Sequence, residues 1–507
     1  MTRLAEQGTR TLVALSCLLG LAGIARAQVD STRRTPLSLT EAVALAEDAS
    51  EALGIARAAV ERARGIQVQA RSGYFPQLTG SATYTRTIRS QFSALQSDDA
   101  ADSSDTATCR AFQPDPSLPI GERVDSLESA LECLSNANPF AAFRNLPFGR
   151  EHQYNVGLSL SQTIFDRRLR GQGRSAAATR RFAEIGLESR RAQVIVDVTS
   201  AYYEAVLSDR LLSIAEATLE QADRTLRDVT LAQQVGNVAE FDLLRAQVTR
   251  DNQRPIVIQR RTDRDLAHLE LLQLLDLPLT TSLALTTELG DTTGPAIPES
   301  ARVEPAADTA VAARAAVRQS EELVRAAEGR RVTAAGQQLP SLRLSSTYAR
   351  IGFPGSAFDL GSTEFVSDWN VALRLEVPLF TGGRVRGEKM VANAELAEAR
   401  LELEATREQG ELETRDALAR LEAARAQWEA STGVVEQATR AYEIAEVRYR
   451  EGISTQTELS DARLLLQQAQ ANRAVAARDL QVARVRAELI RDLPLQGRLL
   501  ESSRTIR

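Results

Sequence analysis

The sequence predicts a mainly α-helical chain that also carries transmembrane β-strands and is built from two structural repeats. Three observations support this prediction: long stretches lack glycine and proline, four short segments alternate apolar and polar residues, and the same order of elements occurs twice. The chain has 507 residues, of which 43% are hydrophobic and 25% charged, so it has enough apolar side chains for several cores.

The first 27 residues have the pattern of a signal peptide that is removed on export. Residues 11–24 are apolar, and Ala25-Arg26-Ala27 offers small residues at the cleavage site. This apolar segment is shorter than the roughly 20 residues that a membrane-spanning helix needs. A lipid anchor on Cys17 is the alternative, although the residues before it match a lipoprotein motif poorly.

Composition argues against several classes of function. The formal net charge of −6, from 61 basic and 67 acidic residues, disfavours nucleic-acid binding, which needs a clustered basic face. The two histidines, His152 and His268, lack the spacing of metal ligands, and the sequence shows no Gly-rich phosphate loop or nucleophile–base pair. We therefore predict that the chain is not an enzyme and binds no cofactor or metal.

Three segments of the first half return in the second half. YFPQLTGSATYTR (74–86) is echoed by QLPSLRLSSTYAR (338–350), YNVGLSLSQTIF (154–165) by WNVALRLEVPLF (369–380), and QQVGNVAEFDLLRAQ (233–247) by YREGISTQTELSDAR (449–463). The offsets between these pairs place roughly 50 extra residues in the first half, in a polar segment without sustained periodicity.

The repeats define the predicted domain organisation. The first repeat, 28–307, contains a helix, the strand pair 76–90 and 153–165 around a long extracellular loop 91–150, and a helical hairpin with its tip near 236. The second repeat, 308–507, contains a helix, the strand pair 340–351 and 368–380 around an extracellular loop 352–367, a hairpin with its tip near 452, and a C-terminal tail.

The two cysteines of the mature chain, Cys109 and Cys133, both fall in the 91–150 loop. A disulfide between them is a prediction for an exported protein, and two free thiols are the alternative.

In the strand segments, apolar and polar residues alternate along the sequence. Tyr154, Val156 and Leu158 occupy one face of their strand, whereas Asn155 and Ser159 occupy the other. Apolar residues outside and polar residues inside are typical of a barrel wall in lipid. A half-buried sheet of a soluble protein shows the same alternation, so the pattern alone leaves both interpretations open.

The helices favour the membrane interpretation. Residues 174–235 contain no proline and one glycine, so they could form a rod of roughly 90 Å, longer than a globular core requires. Residues 459–490 are alanine-rich, which allows neighbouring helices to approach closely as coiled-coil layers. Four strands cannot close a barrel, and open edges in lipid leave backbone groups unsatisfied. A homotrimer would supply twelve strands, continued by the helices as a tunnel.

The chain resembles the TolC-like outer-membrane efflux family, the outer membrane factors. LSLTEAVALA (37–46), VPLFTGGR (377–384) and the two glycine-marked hairpins carry the resemblance. It implies a trimer in the outer membrane of a Gram-negative bacterium, with a twelve-stranded barrel, a long helical periplasmic barrel and a small equatorial region, part of which would come from 276–307 and the C-terminal tail.

By the same resemblance, the function is a passive exit duct of a tripartite efflux system for small toxic compounds. Its partners would be a periplasmic adaptor (membrane fusion) protein and an inner-membrane transporter. The duct of a type I protein secretion system is the alternative. A periplasmic coiled-coil adaptor is disfavoured, because it would lack the repeated strand pairs.

Gly236 and Gly452 explain the interruptions of the helical runs, because a reversing chain needs a residue that tolerates positive φ. Thr455 and Glu458 have the spacing of a capping box for the following helix, and Asn237 and Glu240 have it after the first glycine.

The resemblance also implies roles at these tips. Glu458 and Asp461 would form an acidic ring at the periplasmic entrance, and a hydrogen bond between Tyr449 and Asp242 would latch it. Ser454 and Phe241 stand where the family has a second latch pair, so that link is in doubt. The adaptor contacts would be Val235, Gly236, Asn237, Val238, Glu451, Gly452, Ile453 and Ser454.

Overall fold

A computed structural model describes residues 35–88, 115–136, 151–236, 238–290, 311–357, 361 and 363–495. The predicted signal peptide 1–27, with Cys17, and the predicted disulfide partner Cys109 lie outside these ranges. The chain forms two compact units. The helical unit comprises the described parts of Met1–Ile66, Ser175–Ala327 and Ala394–Arg507, and the sheet unit comprises those of Gln67–Arg174 and Glu328–Asn393.

Most of the described residues are helical, which confirms the predicted fold class. The helices are α1 (Leu39–Ala49), α2 (Glu51–Ser72), α3 (Ile120–Asn136), α4 (Arg167–Gln234), α5 (Glu240–Leu274), α6 (Ala315–Gly336), α7 (Arg384–Arg450) and α8 (Gln456–Glu488). The strands are β1 (Thr35–Leu37), β2 (Gln77–Arg86), β3 (His152–Phe165), β4 (Leu283–Leu285), β5 (Ser341–Gly352) and β6 (Phe365–Glu376).

The two longest helices are α4, with 68 residues, and α7, with 67 residues. At 1.5 Å per residue each is about 100 Å long. Gly410 and Gly433 lie inside α7, and α5 continues through Pro255. Among the described residues, no helix combines the length and the apolar character that a membrane crossing requires.

Helix α4 begins earlier than predicted, because glycine allows it to pack closely on α6. A Cβ atom at Gly171 would lie 2.5 Å from the backbone nitrogen of Thr333. No other residue fits this approach without a backbone shift.

The core of the helical unit surrounds a two-stranded parallel sheet of β1 and β4. The hydroxyl of fully buried Tyr202 donates to the Leu37 carbonyl at 2.8 Å and accepts from the Thr287 amide at 3.1 Å. Apolar side chains such as Val198 and Leu271 complete this cluster. Because β4 belongs to the 276–307 segment, this sheet includes part of the region that the resemblance assigned to the equator.

The sheet unit is built on four antiparallel strands in the order β2-β3-β5-β6. Arg86 pairs with His152, and Tyr154 pairs with Gly352, so the β2–β3 and β5–β6 connections leave the sheet at the same end. The junctions of these strands with α2, α4, α6 and α7 lie at the opposite end. Strand β6 ends at Glu376 rather than at the predicted 380, since Pro378 has no amide hydrogen for a sheet bond.

Candidate functional site

One face of the four-stranded sheet is apolar and exposed. The register places Leu158 opposite Tyr348, and Tyr348 opposite Trp369, so the three side chains share this face. Trp369 is 73% exposed and Leu373 65%. The other large apolar side chains of the face are Leu78, Tyr84, Val156, Leu160, Val371 and Leu375, all of them exposed. A contiguous apolar surface of this kind is typical of contact with a nonaqueous partner such as lipid.

The opposite face of the sheet is polar. It carries short hydroxyl and amide side chains together with Arg374. Its members include Thr79, Ser81, Thr83, Asn155, Ser159, Ser161, Ser345, Thr347 and Asn370. A half-buried sheet of a soluble protein would cover its apolar face and expose its polar one. Here the large apolar side chains are exposed, and the polar residues of β2 and β6 are exposed too, so the exposure of the apolar face is what favours the lipid-facing interpretation of the alternation.

Aromatic side chains gather at the loop end of this sheet. The Tyr84 hydroxyl and the Nδ1 atom of His152 are 2.8 Å apart, and the rings of Tyr84 and Tyr154 lie 5.0 Å apart. Arg350 is a charged residue on the apolar face, and its guanidinium lies 5.8 Å from the Phe365 ring. Aromatic girdles and long basic side chains of this kind lie at the interfaces of transmembrane barrels.

The edge strands of the sheet are β2 and β6, and each has one neighbour within the described part of the chain. Their outer backbone groups therefore need partners from elsewhere if the sheet lies in lipid, where each unsatisfied group costs several kcal/mol.

In the helical unit, the second hairpin turns at Gly452, whose φ is 70°. The Ile453 amide donates to the Arg448 carbonyl at 2.8 Å, and the Gly452 amide donates to Tyr449 at 3.0 Å. This pair of bonds is a Schellman motif. The Thr455 hydroxyl then caps α8 by accepting from the Glu458 amide at 3.3 Å.

The first hairpin turns at Gly236, whose φ is 78°. Its amide donates to the Gln233 carbonyl at 3.0 Å. The predicted capping box of Asn237 and Glu240 is wrong: α5 begins at Glu240, and its N-cap is Ala239, which has no side-chain acceptor. Asn237 itself lies outside the described residues.

The two carboxylates of the predicted acidic ring lie on one side of α8. Glu458 and Asp461 are three residues apart and both exposed, whereas Gln456, Leu459 and Arg463 turn inward and are buried. The Arg448 guanidinium lies 3.9 Å from the Glu458 carboxylate, but both side chains are more than half exposed, so this contact stabilises little.

The predicted hydrogen bond between Tyr449 and Asp242 is not present among the hydrogen bonds of the described residues. Burial raises the pKa of Tyr449, and the nearby carboxylates of Asp242 and Asp228 raise it further. The phenol therefore stays protonated and faces two acids of the first hairpin. Ser454, at one of the two positions of the second latch pair, has a buried hydroxyl without a hydrogen-bond partner in the described structure.

A different bond joins the two hairpins at this level. The Arg245 guanidinium of α5 donates to the Thr457 hydroxyl of α8, and the same guanidinium lies 6.0 Å from the Phe241 ring. Sequence reasoning missed Arg245, Thr457 and Asp228, because it searched only the positions that match the family's latch. No sequence signal distinguishes these residues from other polar residues of the helices.

The residues assigned to adaptor contact include exposed apolar side chains. Val235 is 71% exposed and Ile453 68%. Sequence reasoning missed an exposed apolar stripe that continues from the first tip along α5, made of Phe241, Leu244 and Val248. Their spacing of three and four residues is the signal that could have identified it.

Comparisons with known proteins agree with this architecture. The family model described as outer membrane efflux protein matches residues 135–276 and 306–489, so the chain belongs to that family. No curated protein matches the chain. The chain is therefore an outer-membrane efflux channel, and the predicted location in the outer membrane of a Gram-negative bacterium is confirmed.

Solved structures share the fold. The CmeC outer membrane channel of Campylobacter jejuni is 18% identical, with a TM-score of 0.68 over 91% of this chain and 87% of that one. VceC of Vibrio cholerae is 19% identical, with a TM-score of 0.65 over 89% and 96%. The open state of the Neisseria gonorrhoeae MtrE channel is 18% identical, with a TM-score of 0.65 over 90% and 88%.

Proposed function

We propose that the chain is a homotrimeric, passive exit duct through which small toxic compounds leave the cell. The observation that carries the proposal is the four-stranded sheet with one exposed apolar face, one polar face and two open edges. Three copies pair β2 of one with β6 of the next and close a twelve-stranded barrel. The apolar faces then meet lipid, and the polar faces line a water-filled lumen.

The duct itself supplies no energy in this proposal. A periplasmic adaptor and an inner-membrane transporter deliver the cargo, as the resemblance to tripartite efflux systems implies. The exposed apolar residues at the tips, Val235 and Ile453, and the stripe beginning at Phe241 suit a protein partner, since large apolar side chains are enriched where proteins dock.

The hairpin tips form the periplasmic entrance. In a trimer, Glu458 and Asp461 contribute six carboxylates around one axis, an arrangement that attracts cations and repels anions. We assign Tyr449 and Asp242 to the contact between the hairpins that holds the entrance, with the Arg245–Thr457 hydrogen bond as its link.

The proposal is tested with two substitutions on adjacent residues of β6. Val371 lies on the apolar face and Ala372 on the polar face. An arginine on the lipid face of a barrel costs about 2–4 kcal/mol near the midplane, whereas a lumen substitution mainly alters conduction. We expect Val371→Arg to abolish outer-membrane recovery of the protein, and Ala372→Arg to leave trimers that conduct with altered ion selectivity.

The measurements are the mass of the purified protein in detergent and its conductance in planar bilayers. A monomer in detergent, or equal recovery of both arginine variants from the outer membrane, would contradict the proposal. Loss of the gene product should also increase the susceptibility of the host to small toxic compounds, which tests the efflux role separately from channel formation.

A further inference from the structure

The connection between β2 and β3 contains a helix with an uncovered apolar stripe. Along α3, Ile120, Val124, Leu127 and Leu131 are 78%, 46%, 41% and 58% exposed. The steps between them are four, three and four residues, which is the alternating spacing of the two apolar positions of a coiled-coil heptad. A helix of 17 residues is marginal when isolated in water, so this stripe requires a partner.

The charges beside the stripe identify the kind of partner. With Val124 at the first position of the heptad, Arg123 and Glu128 are the charged residues that flank the seam, five positions apart. Neither side chain has a hydrogen bond or ion pair within the described part of the chain. In a parallel coiled coil, residues with this spacing meet across the interface, so Arg123 of one helix faces Glu128 of the next.

An antiparallel arrangement does not suit this sequence. It would place each flanking residue opposite its own counterpart, Arg123 against Arg123 and Glu128 against Glu128, and like charges repel. Rotation about a symmetry axis that runs along the helix instead keeps all copies of that helix parallel. The helix is therefore complementary to other copies of itself around such an axis.

We propose that the α3 helices of three copies associate as a parallel coiled coil that caps the outer mouth of the duct. This proposal rests on the trimeric barrel proposed above. The β5–β6 connection, residues 353–364, is too short to hold a comparable helix, so each copy contributes one helix and the cap contains three. Cargo then leaves beside the three helices, or after they separate.

The chain is long enough for this arrangement. Twelve strands about 4.8 Å apart and tilted by about 40° close a barrel with a radius of about 12 Å. The shorter connection, from the end of α3 to β3, comprises residues 137–150 in the sequence, which can extend to about 45 Å. Both ends of α3 can therefore reach the axis from the rim.

Cysteine cross-linking tests the cap. Val124→Cys is introduced into a protein in which Cys109 and Cys133 are replaced by serine, and the purified trimer is oxidised. The matched control is Glu122→Cys, two residues away on the outer side of the helix. Because a disulfide requires Cβ atoms within about 4.5 Å, we expect Val124→Cys to form cross-linked dimers at least about tenfold faster than the control.

A charge exchange tests the register. We expect Arg123→Glu to slow the Val124→Cys cross-link, because it places acid against acid across the seam, and the double variant with Arg123→Glu and Glu128→Arg to restore it. If the exchange does not restore the rate, the parallel pairing of these two residues is wrong.

The outcomes separate the cap from the duct. A protein that is monomeric overturns both proposals. A trimer that conducts, but in which Val124→Cys cross-links no faster than Glu122→Cys, overturns the cap alone. A lipid-soluble quencher that reaches a fluorophore at Val124 would show that the stripe lies on the membrane, which also overturns the cap.

Discussion

The two hairpin tips occupy equivalent places in the repeats, yet they are closed differently. Each turns at a glycine with positive φ, Gly236 or Gly452. In each, the glycine amide bonds to the carbonyl three residues earlier, but the second tip is followed by the Thr455 cap, whereas the first has Ala239 at the N-cap and no side-chain bond there. The two repeats thus share the glycine turn but differ in the side-chain cap of the helix that follows it.

The tips also differ in what they expose. The first presents the apolar stripe of Phe241, Leu244 and Val248, and the second presents the carboxylates of Glu458 and Asp461. Both tips keep an exposed apolar residue, Val235 or Ile453, but the first extends it as a stripe along α5 and the second adds the paired carboxylates of α8. Four predictions test this division.

The largest effect is expected at the turns themselves. Apart from the chain neighbours, no atom lies within 4 Å of a Cβ built on either Gly236 or Gly452, so Gly→Ala costs mainly the backbone strain of positive φ, about 1–2 kcal/mol. We expect similar increases in amide hydrogen exchange at both tips. A much smaller effect at Gly236 than at Gly452 would show that the first turn has an alternative conformation available.

The second prediction concerns the acidic pair. Replacing Glu458 by Gln and Asp461 by Asn should lower the cation-to-anion permeability ratio about fivefold at ~0.01 M salt, where the Debye length is about 30 Å. The control is Glu240→Gln at the start of α5, which should leave the ratio unchanged. If the double substitution at Glu458 and Asp461 and the control Glu240→Gln change the permeability ratio equally in bilayer recordings, the tips do not differ in their control of ions.

The third prediction exchanges the helix caps. Thr455→Ala removes the acceptor of the Glu458 amide, and Ala239→Thr supplies one at the matching position of α5. A cap contributes about 0.5–1 kcal/mol. We expect Thr455→Ala to increase hydrogen exchange in the first turn of α8 and Ala239→Thr to decrease it in the first turn of α5. The two substitutions must change the hydrogen-exchange rate in opposite directions. Faster exchange in both variants would be inconsistent with capping.

The smallest effect is expected at the contact between the hairpins. Arg245→Met removes the bond to Thr457 while keeping much of the side-chain volume. If the closed entrance loses about 0.5 kcal/mol of net stabilisation, the fraction of channels with an open entrance roughly doubles. Tyr449→Phe removes no hydrogen bond of the described structure, so its effect on single-channel conductance should be smaller. A larger effect of Tyr449→Phe than of Arg245→Met would indicate that Tyr449 and Asp242 form the principal latch.

Local signals predicted the turns and the strands, because each depends on residues close in sequence. Gly452 tolerates positive φ wherever it stands, and the alternation around Val156 marks a two-faced strand in any sheet. The bond between Arg245 and Thr457 could not be predicted in this way. It depends on how α5 and α8 lie against each other, and residues more than 200 positions apart leave no periodic signal.

The sequence by itself determined the repeat, the positions of the chain reversals and the separation of each strand into an apolar and a polar face, since these follow from short-range sterics and side-chain period. Only the tertiary structure decided the strand order, which makes β2 and β6 the edge strands. It also decided that Gln456 and Arg463 are buried behind the exposed acids of α8, and that Ala239 provides no side-chain cap. These depend on which surfaces meet, and packing between distant segments sets that outcome.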